Sequence, residues 1–309
     1  MRVMQIGQTL MSLGLVLTLG GALGAQDGGI EIFAGETLFS HGTRVSVAHL
    51  FSQKSDLYAG SDTVADPTNA KQREHRMVLG YNYGWTPRVT VGALIPAVAR
   101  RSEFIDMGGP ASLSSRGLGD VALFGKYRLF TRDAYRKSFN ISVIAGLETP
   151  TGATGERDGG QRLAASQQPG SGSWDPFFAI AATSSYGRWR IDGQIFYKAN
   201  NQGSQDFEDS DLFAVGISAA YRYLHRPYPG ASNAARIGLV WHELGSARQG
   251  GAQLANSGAS RLILRTGLGF HPRPAIDISF NFDLPLYQNY DGAQLGLDYR
   301  TFLAFGYRF

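Results

Sequence analysis

The chain has 309 residues, 17% of them charged, 43% hydrophobic and 12% aromatic, with 40 glycines and a formal net charge of +4. Cysteine is absent, which excludes a disulfide framework, a thiolate metal site and a lipid-anchored N-terminal cysteine. The positive charges are spread singly, without the Lys/Arg-rich run of a nucleic-acid binder.

The first element is a targeting segment. Arg2, the apolar run LMSLGLVLTLGGAL over residues 10–23 and the small residues Ala22-Leu23-Gly24-Ala25 predict a signal peptide over 1–25, cleaved after Gly24 or Ala25. The apolar run falls short of the roughly 20 residues of a spanning helix. Residues 26–43 are expected to form a periplasmic N-terminal segment and 44–309 the fold proper. No later stretch reaches about 18 consecutive apolar residues, so entry into a membrane would have to use strands, closed into a barrel.

Strands follow in period-2 alternation. Residues 44–52 alternate imperfectly. Met77, Leu79, Tyr81 and Tyr83 oppose Arg76, Gly80 and Asn82, and Val89, Val91, Ala93 and Ile95 oppose Arg88, Thr90 and Gly92. Val121, Leu123, Tyr127 and Leu129 oppose Asp120, Lys126 and Arg128, and Phe139, Ile141, Val143 and Leu147 oppose Asn140, Ser142 and Glu148. A weaker strand surrounds Phe178. Trp189, Ile191, Ile195 and Tyr197 then oppose Arg190, Asp192, Gln194 and Lys198, and Phe213, Val215 and Ile217 oppose Ala214, Gly216 and Ser218. A second weaker strand surrounds Ile237. Leu262, Leu264, Leu268 and Phe270 oppose Arg261, Arg265 and Gly267, and Ile276, Ile278, Phe280, Phe282 and Leu284 oppose Asp277, Asn281 and Asp283. The last run puts Leu295, Leu297, Tyr299, Thr301, Leu303, Phe305, Tyr307 and Phe309 against Asp298, Arg300 and Arg308.

That makes about twelve strands of roughly ten residues, the length and even number of a bacterial transmembrane barrel. Short connections near residues 85–88, 131–137, 186–188 and 271–274 alternate with long polar ones at 53–72, 105–117, 151–171, 201–210, 247–257 and 288–293. Short periplasmic turns and long outer loops have this parity. The all-β expectation is therefore an antiparallel up-and-down barrel in the bacterial outer membrane, its apolar faces toward lipid and lipopolysaccharide. A dozen charges on the other faces cannot be buried dry without partners, and a wet lumen suits them better than a soluble core. The terminal FLAFGYRF, ending on Phe309, resembles the signal read by the barrel assembly machinery.

Three segments carry a family resemblance: GLGDVALFGKYRLF (117–130), LETPTGATG (147–155) and GSGSWDPFFAIAATSSYGRWRIDGQIFYKAN (170–200). Their order resembles the outer-membrane family named for the MetA pathway of phenol degradation, over roughly residue 117 to the C-terminus. The resemblance implies a transport barrel associated with aromatic compounds. It assigns no catalytic residue.

The expected lumen-lining side chains are Arg76, Arg88, Lys126, Arg128, Arg190, Asp192, Lys198, Arg261, Arg265, Asp277, Asp283, Asp298 and Arg300. Cations exceed anions about two to one on this register, which predicts a mild anion preference; cross-strand charge pairing is the competing reading. The acidic stretch 206–211 offers oxygen ligands for Ca²⁺ but lacks EF-hand spacing, so a solvated loop is the simpler reading. The six histidines lack HxH or HExxH spacing, and no Gly-Lys-Ser/Thr follows the glycines of 151–171, so no cofactor or metal is expected. The leading function is passive passage of a small-molecule solute, not catalysis. A structural or surface-interaction barrel with a plugged lumen is the alternative, and a rim hydrolase using His242 with Ser246 is a third reading without a Gly-x-Ser-x-Gly elbow.

Overall fold

A computed structural model describes residues 34–106 and 109–309. The expected signal peptide and the start of the segment 26–43 lie outside the described residues. The main strands are β1 (Thr43–Gly60), β2 (Lys71–Thr86), β3 (Val89–Asp106), β4 (Gly109–Leu118), β5 (Ala122–Ala134), β6 (Lys137–Glu148), β7 (Asp175–Tyr186), β8 (Trp189–Lys198), β9 (Leu212–His225), β10 (Ser232–Leu244), β11 (Ala259–Arg273) and β12 (Ile276–Arg308).

Each strand pairs antiparallel with its neighbour, and β12 closes the sheet onto β1. Two details set the count. β4 and β5 both pair with β3, one above the other, and so make a single stave broken at residues 119–121. The 33-residue β12 pairs with β11 through its first half and with β1 through its second, so it must reverse near Gly292 and supplies two staves. Joining one pair and splitting one strand leaves twelve staves. At about 3.3 Å per residue and a tilt near 40°, a ten-residue stave rises about 25 Å, the height of an apolar membrane band.

Burial settles which way the faces point. On β7, Asp175, Phe177, Ala179, Ala181 and Thr183 are buried while Phe178 and Ile180 stand 58% and 52% exposed. On β8, Asp192, Gln194, Phe196 and Lys198 are buried while Ile191 and Ile195 stand half exposed. A soluble barrel would have this the other way round. Charged groups inside and branched aliphatics outside place the cylinder in lipid. Rings gather on the outer face near both ends of this band: Trp189 against Tyr221 and Phe130 against Phe139 at one end, Trp241 against Tyr287 and Phe51 against Tyr299 at the other. The protein is an outer-membrane β-barrel.

Five short connections and both ends of the barrel sheet share one end of the cylinder. The other end differs from the expected row of long loops. β1 continues to Gly60, β3 and β4 form a tall hairpin reaching residues 106 and 109, and the two halves of β12 pair up to a tight turn near Gly292, leaving no long loop at 288–293. Above the membrane both strand faces meet water, so the apolar alternation fades there while the backbone ladder continues.

Candidate functional site

The buried face of the cylinder is a set of ion pairs. Glu74 on β2 accepts from Arg76 (2.8 Å) and from Arg100 on β3 (2.8 Å). Asp283 accepts from Arg265 on β11 (2.7 Å) and from Arg300 (2.6 Å) across the two halves of β12. Arg44 donates to Asp277 at 2.6 Å. Arg190 donates to Asp192 at 2.8 Å. These ion pairs run both within and across strands: those of Arg44 and Arg190 lie near the turn end, and those of Glu74 and Asp283 at mid-height. Between these pairs a cavity of only about 40 Å³ is lined by Lys54, Glu74, Arg76, His242, Arg261 and Arg300 among others.

His242 thus stands inside the cylinder beside cations, not on a rim, and Ser246 lies beyond the end of β10. Lys126 and Lys198 are also buried. Two expected lumen residues stand elsewhere. Arg88 is exposed in the turn between β2 and β3. Asp298 accepts from the Gln53 amide (3.0 Å) and the Ser55 backbone (3.0 Å), where the β1–β12 register slips. The same bulge turns Leu295 and Leu297 inward, although strict alternation puts them on the lipid face. A bulge shifts the phase of one strand without a sequence signature of its own. Arg128 donates to the Pro87 carbonyl at the turn end.

The N-terminal segment threads into the turn-side mouth. Ala34 is 1% exposed, and its carbonyl accepts from the Lys126 ammonium. The Gly35 N–H donates to Thr183 Oγ1 (2.8 Å), and its carbonyl accepts from Ser142 Oγ (2.5 Å). Glu36 accepts both ends of the Arg190 fork at 2.9 and 2.6 Å, and the Leu38 N–H donates to Thr90 Oγ1 (2.9 Å). A β-carbon on Gly35 would lie 2.4 Å from the Asn140 carbonyl oxygen, so only glycine passes this close to the wall.

At the opposite end the three family-like segments converge. Asp120 Oδ1 accepts from the Gly152 N–H (2.7 Å), and Oδ2 from the Ser171 N–H (2.5 Å) and hydroxyl (2.9 Å). Asp175 accepts from Ser173 Oγ (3.0 Å) and the Asn201 N–H (2.8 Å). Lys198 pairs with Glu148 and lies 3.9 Å from Asp175. Gly152 and Gly170 cross so closely that a β-carbon on Gly170 would sit 2.6 Å from the Gly152 Cα. The loop between β6 and β7 is thereby strapped over the open edge of β4, and its Ser166 carbonyl accepts from Arg100 inside the lumen (3.1 Å). The signal for this junction was present in the quoted segments, as aspartates flanked by glycine and serine, but a linear reading could not pair them.

The carboxylates of 206–211 disperse onto separate partners. Glu208 pairs with Arg248 (2.9 Å), and Asp211 accepts from Tyr197 Oη (2.9 Å) and the Asn200 N–H (2.8 Å). Burial pushes the Asp209 carboxyl up to about 6. Among the described residues no group of three metal-ligating side chains forms.

Replacing Asp120 with alanine removes three hydrogen bonds to one carboxylate, each worth about 1.5 kcal/mol or more when charged. The expected result is protease cleavage within residues 153–170 of the folded barrel, at a rate at least tenfold above wild type for roughly 1.4 kcal/mol of local opening. Equal cleavage rates would show that the strap is held by other contacts.

A closed cylinder with a lipid-facing apolar wall, an ion-paired interior and a docked N-terminal segment defines a transmembrane barrel of the outer-membrane class. The chain belongs to the family described as "Putative MetA-pathway of phenol degradation", whose model matches residues 78–300. No curated protein sequence matches it. Among solved structures it resembles the COG4313 outer membrane channel from Pseudomonas putida F1, with 17% identity, TM-score 0.64, and coverage of 89% of this chain and 97% of that one. It also matches, at TM-score 0.44 and 12% identity, the β domain of the Bordetella autotransporter BrkA (87% and 100% coverage). The Pseudomonas putida toluene transporter TodX matches at TM-score 0.40 and 8% identity (90% and 95% coverage).

Proposed function

We propose that the protein is a passive outer-membrane channel for small solutes, aromatic compounds among them. The observation that carries this reading is the inversion of the wall: charged side chains line the inside of a closed cylinder along its height, and an apolar band surrounds it. Membership of a family associated with phenol degradation and the likeness to a solved channel support it. The narrow mid-height cavity favours the second reading, a structural barrel with a plugged lumen. Planar-bilayer recording of the refolded mature chain separates them. Discrete conductance steps are expected. A silent bilayer, together with no swelling of proteoliposomes in phenol or small sugars, would leave the plugged barrel as the function.

Two membrane partners belong to the same proposal. The outer face of β2, β3 and β4 carries Arg73 opposite Arg101, with Arg116 opposite Ala99 one step below. Arg73 lies twelve residues above Trp85, or about 30 Å up a tilted strand, just over the roughly 25 Å band. Glu103 lies 3.8 Å from Arg73 and 3.0 Å from Arg101, so three arginines share one carboxylate, and lipopolysaccharide phosphates fit the remaining positive charge. Charge-reversal to Arg73→Glu/Arg101→Glu is expected to strip co-purifying lipopolysaccharide, read by mass spectrometry; equal retention would remove the assignment. At the other end Phe309 is exposed, its backbone paired to Thr43, and presents the ring to the assembly machinery.

A further inference from the structure

Two histidines interrupt the apolar outer wall. On β1 the outward residues run Val45, Val47, His49 and Phe51, and on β2 they run Tyr83, Tyr81, Leu79, Met77 and His75. Their neighbours on this face are the aliphatics and rings of the lipid-facing band, where a lone imidazole gains nothing. The register sets His49 opposite Met77 and Phe51 opposite His75, so the two histidines are diagonal neighbours on adjacent staves. His49 Nε2 lies 3.2 Å from His75 Nδ1, at the long end of hydrogen-bond distance. The Phe51 ring packs on His75 at 4.8 Å between centroids, and Tyr299 packs on Phe51 at 5.8 Å, which holds the imidazole in place. His75 stands ten residues above Trp85, about 25 Å up a tilted stave, at the outer edge of the apolar band. Water and headgroup oxygens reach that level.

We propose that His49 and His75 form a binding site for a divalent transition-metal ion of the Zn²⁺ class on the outer face of the barrel. Two nitrogens about 2.0–2.1 Å from a tetrahedral Zn²⁺ stand about 3.3–3.4 Å apart, so the two rings already have the spacing of adjacent ligands. Both rings stay neutral on binding. Whichever ring donates across the pair moves its proton to its other nitrogen through solvent, and both facing nitrogens then offer lone pairs. The ion replaces one hydrogen bond with two coordinate bonds. Imidazole suits Zn²⁺, Cu²⁺ or Ni²⁺, whereas Mg²⁺ and Ca²⁺ take oxygen ligands, which neither side chain supplies. Two protein ligands leave two positions of the tetrahedron, facing the headgroup layer, for water or a phosphate oxygen. The site lies on the lipid side of the wall, so it depends on the direction of the faces of β1 and β2 and not on conduction.

The test is calorimetric titration of the untagged, detergent-folded mature chain with zinc chloride. Zn²⁺ is expected to bind saturably, and excess Mg²⁺ not to compete. His49→Gln and His75→Gln should each weaken Zn²⁺ at least tenfold, whereas His225→Gln, at the turn end of β9, should leave the affinity unchanged. Affinity unaltered in both variants of the pair, or Mg²⁺ displacing Zn²⁺, overturns the proposal. Carbethoxylation of the wild-type barrel, read by mass spectrometry, addresses the same site without a substitution, should either variant fail to reach its heat-modifiable folded form. Zn²⁺ should slow modification of His49 and His75 at least tenfold and leave the exposed His225 reactive. Equal modification of the pair with and without Zn²⁺ overturns the proposal as well.

Discussion

A Gly35→Val substitution is expected to open the barrel, raising single-channel conductance about twofold or more, since pore current follows the narrowest cross-section. The added side chain would lie within 2.4 Å of the Asn140 carbonyl oxygen and 2.8 Å of the Thr183 nitrogen. Both atoms belong to paired staves, so neither can swing aside as a side-chain end would. The segment must therefore leave its track. Doing so forfeits the Thr183 and Ser142 hydrogen bonds of Gly35, the Lys126 bond to Ala34 and the bidentate Glu36–Arg190 pair. In a dry core those losses would be prohibitive. In a lumen, water follows the departing chain and solvates Lys126 and Arg190, so the net cost is only about 1 kcal/mol per hydrogen bond. An eight-stranded barrel is filled by its own side chains. Twelve staves leave room for one extended chain, and its departure frees much of the cross-section. The departure also removes the Glu36 charge, so anion preference, measured as reversal potential in a salt gradient, should rise together with conductance. Proteolysis at residues 34–42 without any change in current would show that the mid-height ion pairs, not this segment, limit flow.

The wall was legible in the sequence because lipid enforces it. Each membrane-crossing stave needs an apolar residue at every second position, and runs such as Ile191 to Tyr197 or Leu303 to Phe309 reveal both the strand and the direction of its faces. The family-like segments were legible too, and the family model agrees with them. Three features were hidden for physical reasons. Gly109–Leu118 was expected as loop because it stands above the membrane, where water on both sides lifts the demand for alternation. Leu295 and Leu297 were expected on the lipid face because a bulge moves phase through backbone geometry alone. The pairing of lumen charges was hidden as well, because a count of residues on one face cannot tell which cation finds a carboxylate two staves away. Arg44 and Asp277 are 233 positions apart and bonded at 2.6 Å.

Asp283→Ala tests how wet that interior is. One carboxylate bridges three staves: Oδ1 takes Arg265 Nε at 2.7 Å, and Oδ2 takes Arg265 NH2 at 2.7 Å and Arg300 NH2 at 2.6 Å. All three side chains are less than a tenth exposed. Its loss deprives two buried guanidiniums of the anion both lean on and leaves their mutual repulsion unscreened. Breaking such a group in a dry interior costs about 3–5 kcal/mol. At about 2–4 °C per kcal/mol for a chain of this order of size, the melting midpoint should fall by roughly 10 °C. Asp283→Asn keeps an acceptor oxygen and should fall about half as far. Asp277→Ala unpairs a single guanidinium, Arg44, two of whose nitrogens already lack a partner, and should cost less than either. The ordering carries the information. If Asp283→Ala melts within about 2 °C of wild type, bulk-like water must reach both arginines, because Coulomb energies at 4 Å shrink from roughly 4 kcal/mol near a protein surface to about 1 kcal/mol in water. A drop of roughly 10 °C means instead that the mid-height lumen is nearly dry at rest, and that solute crosses only when this carboxylate and its two arginines move apart.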